Sequence, residues 1–514
     1  MELTGKHLIS GYLSVSQPAT FYALNPVTND RLQGEFAEGD VDDVAAAAKL
    51  AASHFDVFRQ TNGLKRSELL AAIGRELSKL KDALIHRANL ETGLPLPRLE
   101  GELTRTVNQL NMFSELVKND DYKQILIDHG IADRQPFPKP DLRLNHIPIG
   151  PVAVFGASNF PLAFSVAGGD TASALAVGCP VIVKGHPAHP GTSEFAGQAI
   201  LKALQKTGLP EGVFSLIQGS SHAVGTALVQ HPAIKAVAFT GSQSGGRALF
   251  DLAARRPDPI PVFAEMGSVN PVFILPGALQ GNGQTLAGKY AESLTLGVGQ
   301  FCTNPGLLLA VKGKSLDDFI RTVNESLNRT QPLPMLHVGI KQNFMAKLER
   351  MKSVQGISCV VGYSSTEADS CFVSPALSVV SAEDFLQQPT LEEEVFGPSS
   401  LIVECQSQGQ MLLLAENLQG QLTATLHATD DDQSFCRQLI TILERKVGRL
   451  VYNDFPTGVE VCAAMHHGGP YPATTDCRFS SVGTSAVNRF LRPVCYQNFN
   501  HDLLPVELQD DQDN

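Results

Sequence analysis

The sequence predicts an α/β protein built on parallel sheet, folded as two or three domains. Three observations carry this. At 514 residues the chain is too long for one compact core. Between Gly150 and Gly267, short apolar runs recur, each closed by a glycine: PVAVFG, PVIVKG, FSLIQG, AVAFTG and PVFAEMG. Helix-like stretches such as FSVAGGDTASALAVG and TSEFAGQAILKALQKTG separate them. Continuously apolar strands alternating with helices make a sheet covered on both faces.

Along the chain, residues 42–117 read as helical. VDDVAAAAKLAASHFDVF and SELLAAIGRELSKLKDALIHRANLETG carry apolar residues at three- and four-residue spacing. A Pro-rich break, LPLPR, precedes a further helix, GELTRTVNQLNMFSELV, and DHGIADRQPFPKPDLRLNHIPIG reads as extended strands with turns. The parallel-sheet region follows, then a second β/α region over roughly 264–470. The tail ELQDDQDN reads as a short, frayed acidic end.

Composition excludes several classes of function. Hydrophobic residues are 43% and charged residues 18%, with a net charge of −12 and no Lys/Arg-rich run, so nucleic acid is not an expected partner. No apolar run reaches the ~18 residues of a membrane span, and the first residues lack the apolar core of a signal peptide. Nine dispersed cysteines without a C-x-x-C pair suggest neither disulfides nor a zinc site. The expectation is a cytoplasmic protein without a metal.

In open parallel sheets, ligands bind beyond the carboxyl ends of the strands. Here those ends carry Ser158-Asn159, Lys184, Gly219-Ser220 and Gly241-Ser242. Cys302 lies in GVGQFCTNPG, between bent glycine-rich backbone and an Asn-Pro-Gly turn, where a carbonyl carbon can reach sulfur. Glu265, in PVFAEMG, ends a strand among apolar neighbours; desolvation there would raise its pKa and make it a base near neutral pH. Asn159 offers an amide NH2 to an oxyanion, beside the Cys302 N–H. Gly241-Ser242 opens a helix whose amide end suits a phosphate. Each residue alone has a plainer reading: a packing cysteine, an ion-paired glutamate, an Asx turn, a serine N-cap. Convergence on strand ends argues for a site. His466 and His467 read as loop residues, with no partner ligand at suitable spacing.

The motifs FGASNFP, VIVKGHPAHPG, FTGSQSGG, FAEMGSVNP, GQFCTNPG and EEEVFGP occur in the order of the NAD(P)-dependent aldehyde dehydrogenase superfamily, which the chain resembles from about residue 20 to 500. The resemblance implies a Rossmann-like cofactor domain at 1–263, with about 127–147 in an oligomerisation arm. It implies a catalytic domain at 264–470 and a return to the cofactor domain and arm at 471–514. It implies that Cys302 attacks the aldehyde, that Glu265 activates water against the thioester, and that Asn159 holds the oxyanion. Lys184 and Glu394 would contact cofactor ribose hydroxyls and Phe396 the nicotinamide. Gly241 and Ser242 would lie by the pyrophosphate.

Two departures and one branch likeness refine this. Where many NAD-preferring relatives carry a glutamate three residues after the lysine, this chain has Pro187. With no carboxylate to repel a 2′-phosphate, and with Lys184 and His222 to meet it, NADP is expected, with NAD also accepted. Ser158 replaces the usual tryptophan. KGHPAHPGTSE and NDFPTGVEVCAAMHHGGPYPATTD resemble the 2-oxoglutarate semialdehyde (2,5-dioxopentanoate) dehydrogenases. A dicarboxylate product calls for a cation at the substrate mouth, for which Arg105 is the candidate; Phe455 and Val459 are candidates for the tunnel. The expected partners are a small aldehyde and further copies of the chain, as homodimer or homotetramer. Competing readings are a dehydrogenase of fatty or other aliphatic aldehydes, a CoA-acylating relative, a non-catalytic protein of this fold, and a cysteine hydrolase. The last requires a histidine on the sulfur, and none flanks the Cys302 or Glu265 motif.

Overall fold

The computed structural model describes residues 2–10, 19–361 and 370–510. Helices Val41–Arg59, Gly63–Lys79, Lys81–Thr92 and Leu96–Leu116 fill the segment that the periodicity marks as helical. The first starts at Asp40, whose carboxylate accepts from the Asp43 amide at 3.0 Å while Asp43 accepts from the Asp40 amide at 3.1 Å. Their apolar faces, including Phe58, Leu69, Ile73 and Phe113, enter one core with the first sheet.

That sheet has five parallel strands, in the order Phe214–Ile217, Val181–Lys184, Val152–Phe155, Ala236–Thr240, Val262–Glu265. Each apolar run closed by a glycine is one strand. The earliest strand lies in the middle, so the chain winds outward both ways from Val152–Phe155, and a crevice opens beyond its carboxyl end. Asn159, Lys184 and Glu265 follow or end strands on that edge.

A second sheet has seven strands, with Val272–Ile274 between Leu307–Val311 and Gln421–His427. All are parallel except the edge strand Ser358–Val361, which runs antiparallel to Ala376–Ser381. Separate apolar cores pack around Phe273 and around Val272 and Ile274, as period-2 alternation through a covered sheet requires. A third, antiparallel sheet joins Leu126–Asp128, Leu142–Pro148 and Leu491–Gln497. Arg143 on its middle strand donates to the Leu508 carbonyl at 2.6 Å and to the two Asp510 oxygens at 2.9 and 2.8 Å. The tail is therefore pinned through Asp510 rather than frayed; residues 511–514 lie outside the described residues. Among the described residues, no helix is long and apolar enough to cross a membrane.

The backbone turns left-handed over a short segment before Cys302. Gly297, Val298 and Gly299 have φ of 56°, 59° and 63°. Glycine takes this backbone freely; a β-branched valine does so only when its surroundings force it. Val298 is buried in the second sheet's core, and a Cβ on Gly299 would lie 2.3 Å from the Gly397 carbonyl carbon and oxygen. Gly299→Ala is therefore expected to destabilise the fold by about 2–4 kcal/mol. Urea unfolding measures this, and an unchanged midpoint would contradict the close packing.

Candidate active site

Three side chains from distant segments converge where the two sheets face each other. Cys302 Sγ lies 3.3 Å from His467 Nε2, and the same nitrogen lies 2.9 Å from Glu265 Oε1. Ser481 Oγ donates to the other Glu265 oxygen at 2.5 Å. Glu265 ends the last strand of the first sheet, while His467 and Ser481 come from the long loop after Val447–Tyr452. That loop is tied to itself and to the strand: His467 N donates to Ser480 Oγ at 3.0 Å, Ser481 N to the His467 carbonyl at 3.2 Å, and Met266 N to the Ala473 carbonyl at 2.7 Å.

The Cys302 loop is held from both sides. Asn159 Nδ2 donates to the Gln300 carbonyl at 3.0 Å, which brings the amide to the loop as an oxyanion donor would require. Asn270, itself left-handed at φ 47°, donates through Nδ2 to the Cys302 and Asn304 carbonyls at 2.9 Å each. Cys302 remains half-buried.

The electrostatics correct one expectation. Glu265 and His467 side chains are 4% and 0% exposed, and burial does push Glu265 toward its neutral acid. The His467 charge and hydrogen bond, helped by Ser481, outweigh burial and hold the carboxyl below its ordinary value. Glu265 is thus not the isolated desolvated base with a raised pKa that its sequence neighbours suggest. Burial likewise opposes charge on His467, but Glu265 and Cys302 beside it raise the imidazole to about 10. Two unit charges at such range attract by about 4 kcal/mol at an effective dielectric near 20. Desolvating each ion costs several kcal/mol, so the pair adds little net stability, yet removing one partner strands the other. The three donor atoms lie within 4.8 Å of one another, a spacing that serves proton sharing and that a metal ion would also accept.

His467 is the residue that sequence reasoning set aside. It is separated from Cys302 by 165 positions, and only the fold brings the two together. The only sequence signal is a histidine pair in a long polar loop. Asn270, Ser481 and Arg98 were missed for the same reason.

Beside this centre Ala157, Phe160, Ala163, Phe164 and Val482 pack into an apolar cluster, with Phe301 and Val459 against it. Phe455 is not among them: its ring packs on His427 at 4.6 Å and Tyr290 at 5.9 Å, on the core of the second sheet. Arg105 is not on a solvated face; its guanidinium stacks over the Phe164 and Phe160 rings at 5.3 and 5.7 Å.

The residues expected to hold a dinucleotide lie along the strand ends. Lys184 Nζ donates to the Gly219 carbonyl at 2.6 Å, and burial lowers its pKa to about 8. Gly241 leaves bare backbone where a Cβ would strike the Phe239 ring at 2.6 Å, and Ser242 Oγ caps the next helix by accepting from Gly245 N at 3.2 Å. Glu394 and Phe396 line a cleft together with Phe301 and Asn304. Burial raises Glu394 to about 7 against the opposing charge of Lys347. His222 is exposed at the start of its helix. This row of bare backbone, cation and carboxylate fits an extended nucleotide across the crevice. Although Pro187 removes one carboxylate, another does stand near Lys184. Glu38 accepts from the Ser220 and Ser221 amides at 2.8 Å and partly offsets the effect of burial on the lysine.

Comparison with known proteins bears on this site. The profile described as the aldehyde dehydrogenase family matches residues 12–480. The chain is 48% identical over 511 residues to alpha-ketoglutaric semialdehyde dehydrogenase 2 of Azospirillum brasilense, covering 99% of this chain and 97% of that one. It is 43% identical over 510 residues to alpha-ketoglutaric semialdehyde dehydrogenase of Acinetobacter baylyi, covering 99% and 96%. Among solved structures, a betaine aldehyde dehydrogenase of Staphylococcus aureus in complex with NAD+ superposes with a TM-score of 0.82 at 20% identity, over 97% of both chains. That likeness bears on the fold alone.

Replacing His467 by Phe strands the Glu265 carboxylate and is expected to cost about 3–5 kcal/mol of stability. The pH dependence has a definite sign. His467 titrates higher when folded, so its contribution is fully present below its ordinary 6.5 and lost as pH rises through about 10. Unfolding free energies of wild type and His467→Phe should converge across that range; divergence would contradict the ion pair.

Proposed function

This chain belongs to the aldehyde dehydrogenase family, and on that premise we propose that it oxidises 2-oxoglutarate semialdehyde to 2-oxoglutarate with NADP or NAD. The observation that carries the chemistry is the convergence of Cys302, His467 and Glu265 within hydrogen-bonding reach, beside an apolar cluster that includes Phe160 and Phe164. The substrate follows from the two full-length relatives named for it.

In the first half-reaction, Cys302 Sγ gives up its proton and bonds to the aldehyde carbon, with the protonated His467 Nε2 3.3 Å away to hold the thiolate. Asn159 offers its amide to the oxygen on which charge collects. Bound NADP or NAD supplies the two-electron acceptor for the hydride, held by Lys184, Gly241, Ser242, Glu394 and Phe396. The thioester left on sulfur is resolved by water, whose proton passes to the Glu265–His467 pair as the carbon–sulfur bond breaks. Because Glu265 is already bonded to His467 and Ser481, the pair acts as one proton reservoir rather than as a lone base.

The Cys302–His467 contact is also what a cysteine hydrolase needs, and it supplies the partner that the sequence did not reveal. In the scheme proposed here the contact serves the second half-reaction, since thioester hydrolysis is that chemistry. NADP use is supported by Lys184 and by Pro187; Glu38, anchored on the Ser220 and Ser221 amides, works against a 2′-phosphate. Assembly into dimers or tetramers through the antiparallel arm is supported by Leu126, Leu503 and Val506, which are exposed on or beside it.

Stopped-flow absorbance of reduced cofactor tests the scheme. Glu265→Gln should give a first-turnover burst near one equivalent and a steady state slower by roughly 100-fold or more. Loss of the burst itself would place Glu265 before hydride transfer and contradict the assignment. The same assay with NAD and NADP in turn measures the cofactor preference.

A further inference from the structure

Beyond the proton-sharing centre, unsatisfied buried charge gathers on one face of the helix Leu96–Leu116. Arg98, Glu102 and Arg105 recur there at spacings of four and three, so their side chains stack along one side. Glu102 Oε1 accepts from the Leu162 and Ala163 amides at 2.8 and 3.0 Å. Arg98 donates through Nη2 to the Asn159 carbonyl at 2.9 Å and lies over the Phe301 ring at 4.7 Å. Arg105 differs: its Nε and Nη2 are buried and meet no hydrogen-bond partner, and no carboxylate among the described residues reaches it within ion-pair distance.

Nε and Nη2 form one edge of the guanidinium, two parallel N–H groups that match the two oxygens of a carboxylate. The guanidinium carbon lies over the Phe160 and Phe164 rings, and Phe160 packs edge-on against Phe301, the neighbour of Cys302. Around the guanidinium, Glu102 Oε1 is taken by the Leu162 and Ala163 amides, and Glu265 is paired with His467. A buried cation left without a partner is costly, and a site meant for uncharged aldehydes has no use for one.

We infer that the Nε–Nη2 edge of Arg105 seats the far carboxylate of the substrate, so that this chain selects aldehydes carrying an anionic group at the end remote from the reacting carbon. The inference rests on the proposed semialdehyde oxidation and adds the residue that sets its substrate class. The phenylalanine walls accept the methylenes, and Arg105 fixes which end of the molecule lies deep.

The test compares 2,5-dioxopentanoate with pentanal, its uncharged counterpart of equal chain length, on wild type, Arg105→Lys and Arg105→Met. In Arg105→Met, kcat/KM for the oxo-acid should fall by roughly 100-fold, mostly through KM, while that for pentanal stays within about threefold. Arg105→Lys should recover part of the loss, as a point charge without the two-pronged edge. Equal losses for both aldehydes, or none for the oxo-acid, would overturn the inference. Should the variants fail to fold, wild type alone decides: a preference for the oxo-acid of at least about 30-fold supports Arg105, and parity with pentanal overturns it. Oxidation of pentanal at parity would leave aldehyde dehydrogenase chemistry standing. If wild type oxidises neither aldehyde, the semialdehyde reading fails and this inference fails with it.

Discussion

A carboxylate and an imidazole 2.9 Å apart, both nearly without solvent, set the terms for the rest of the site. Neither ion tolerates burial alone, and together they roughly break even. Their cost is met by geometry: Ser481 on the second Glu265 oxygen, Ser480 on the His467 backbone, and the loop from 467 to 481 closed over the strand Val262–Glu265. Cys302 then arrives from the other sheet against a histidine that already carries a proton. Catalytic competence and folding are coupled here, since the contact that readies the sulfur also seals the boundary between the two sheets.

That boundary explains where strain is tolerated. Gly297, Val298 and Gly299 bend the chain left-handed just before the nucleophile, and the Gly299–Gly397 backbone contact leaves no room for an alternative. Asn270 takes the same unusual backbone to hold the Cys302 and Asn304 carbonyls. Such backbone persists only where its surroundings over-determine it, as the buried Val298 and the three hydrogen-bonded carbonyl contacts of Asn270 do here.

Much of this was legible in the sequence. Apolar runs closed by glycine marked all five strands of the first sheet, and helical periodicity marked the leading helical segment but not the break at Leu80 or the start of the last helix at Leu96, inside LPLPR. Cys302, Glu265 and Asn159 announced themselves by local company: bent backbone, a strand end, a turn. His467 did not, because its chemistry comes from proximity to residues far away in the chain, and its neighbours say only that it lies in a loop. The same gap misjudged the Glu265 pKa, since the apolar residues beside it in sequence are visible and the histidine beside it in space is not. Phe455 was misplaced because an aromatic near a loop fits a tunnel and a core equally well until packing decides. Glu38 shows the converse: a carboxylate absent at Pro187 returns from a remote segment.

The central claim is that Cys302 becomes acylated and is then released by water through the Glu265–His467 pair. Acid-quenched enzyme, mixed with NADP and 2,5-dioxopentanoate and digested, would be analysed by peptide mass spectrometry. The account predicts that the Cys302 peptide carries one 2-oxoglutaryl group, and that the label persists in Glu265→Gln. An acyl group on another cysteine, or turnover with Cys302 never modified in either protein, would contradict it.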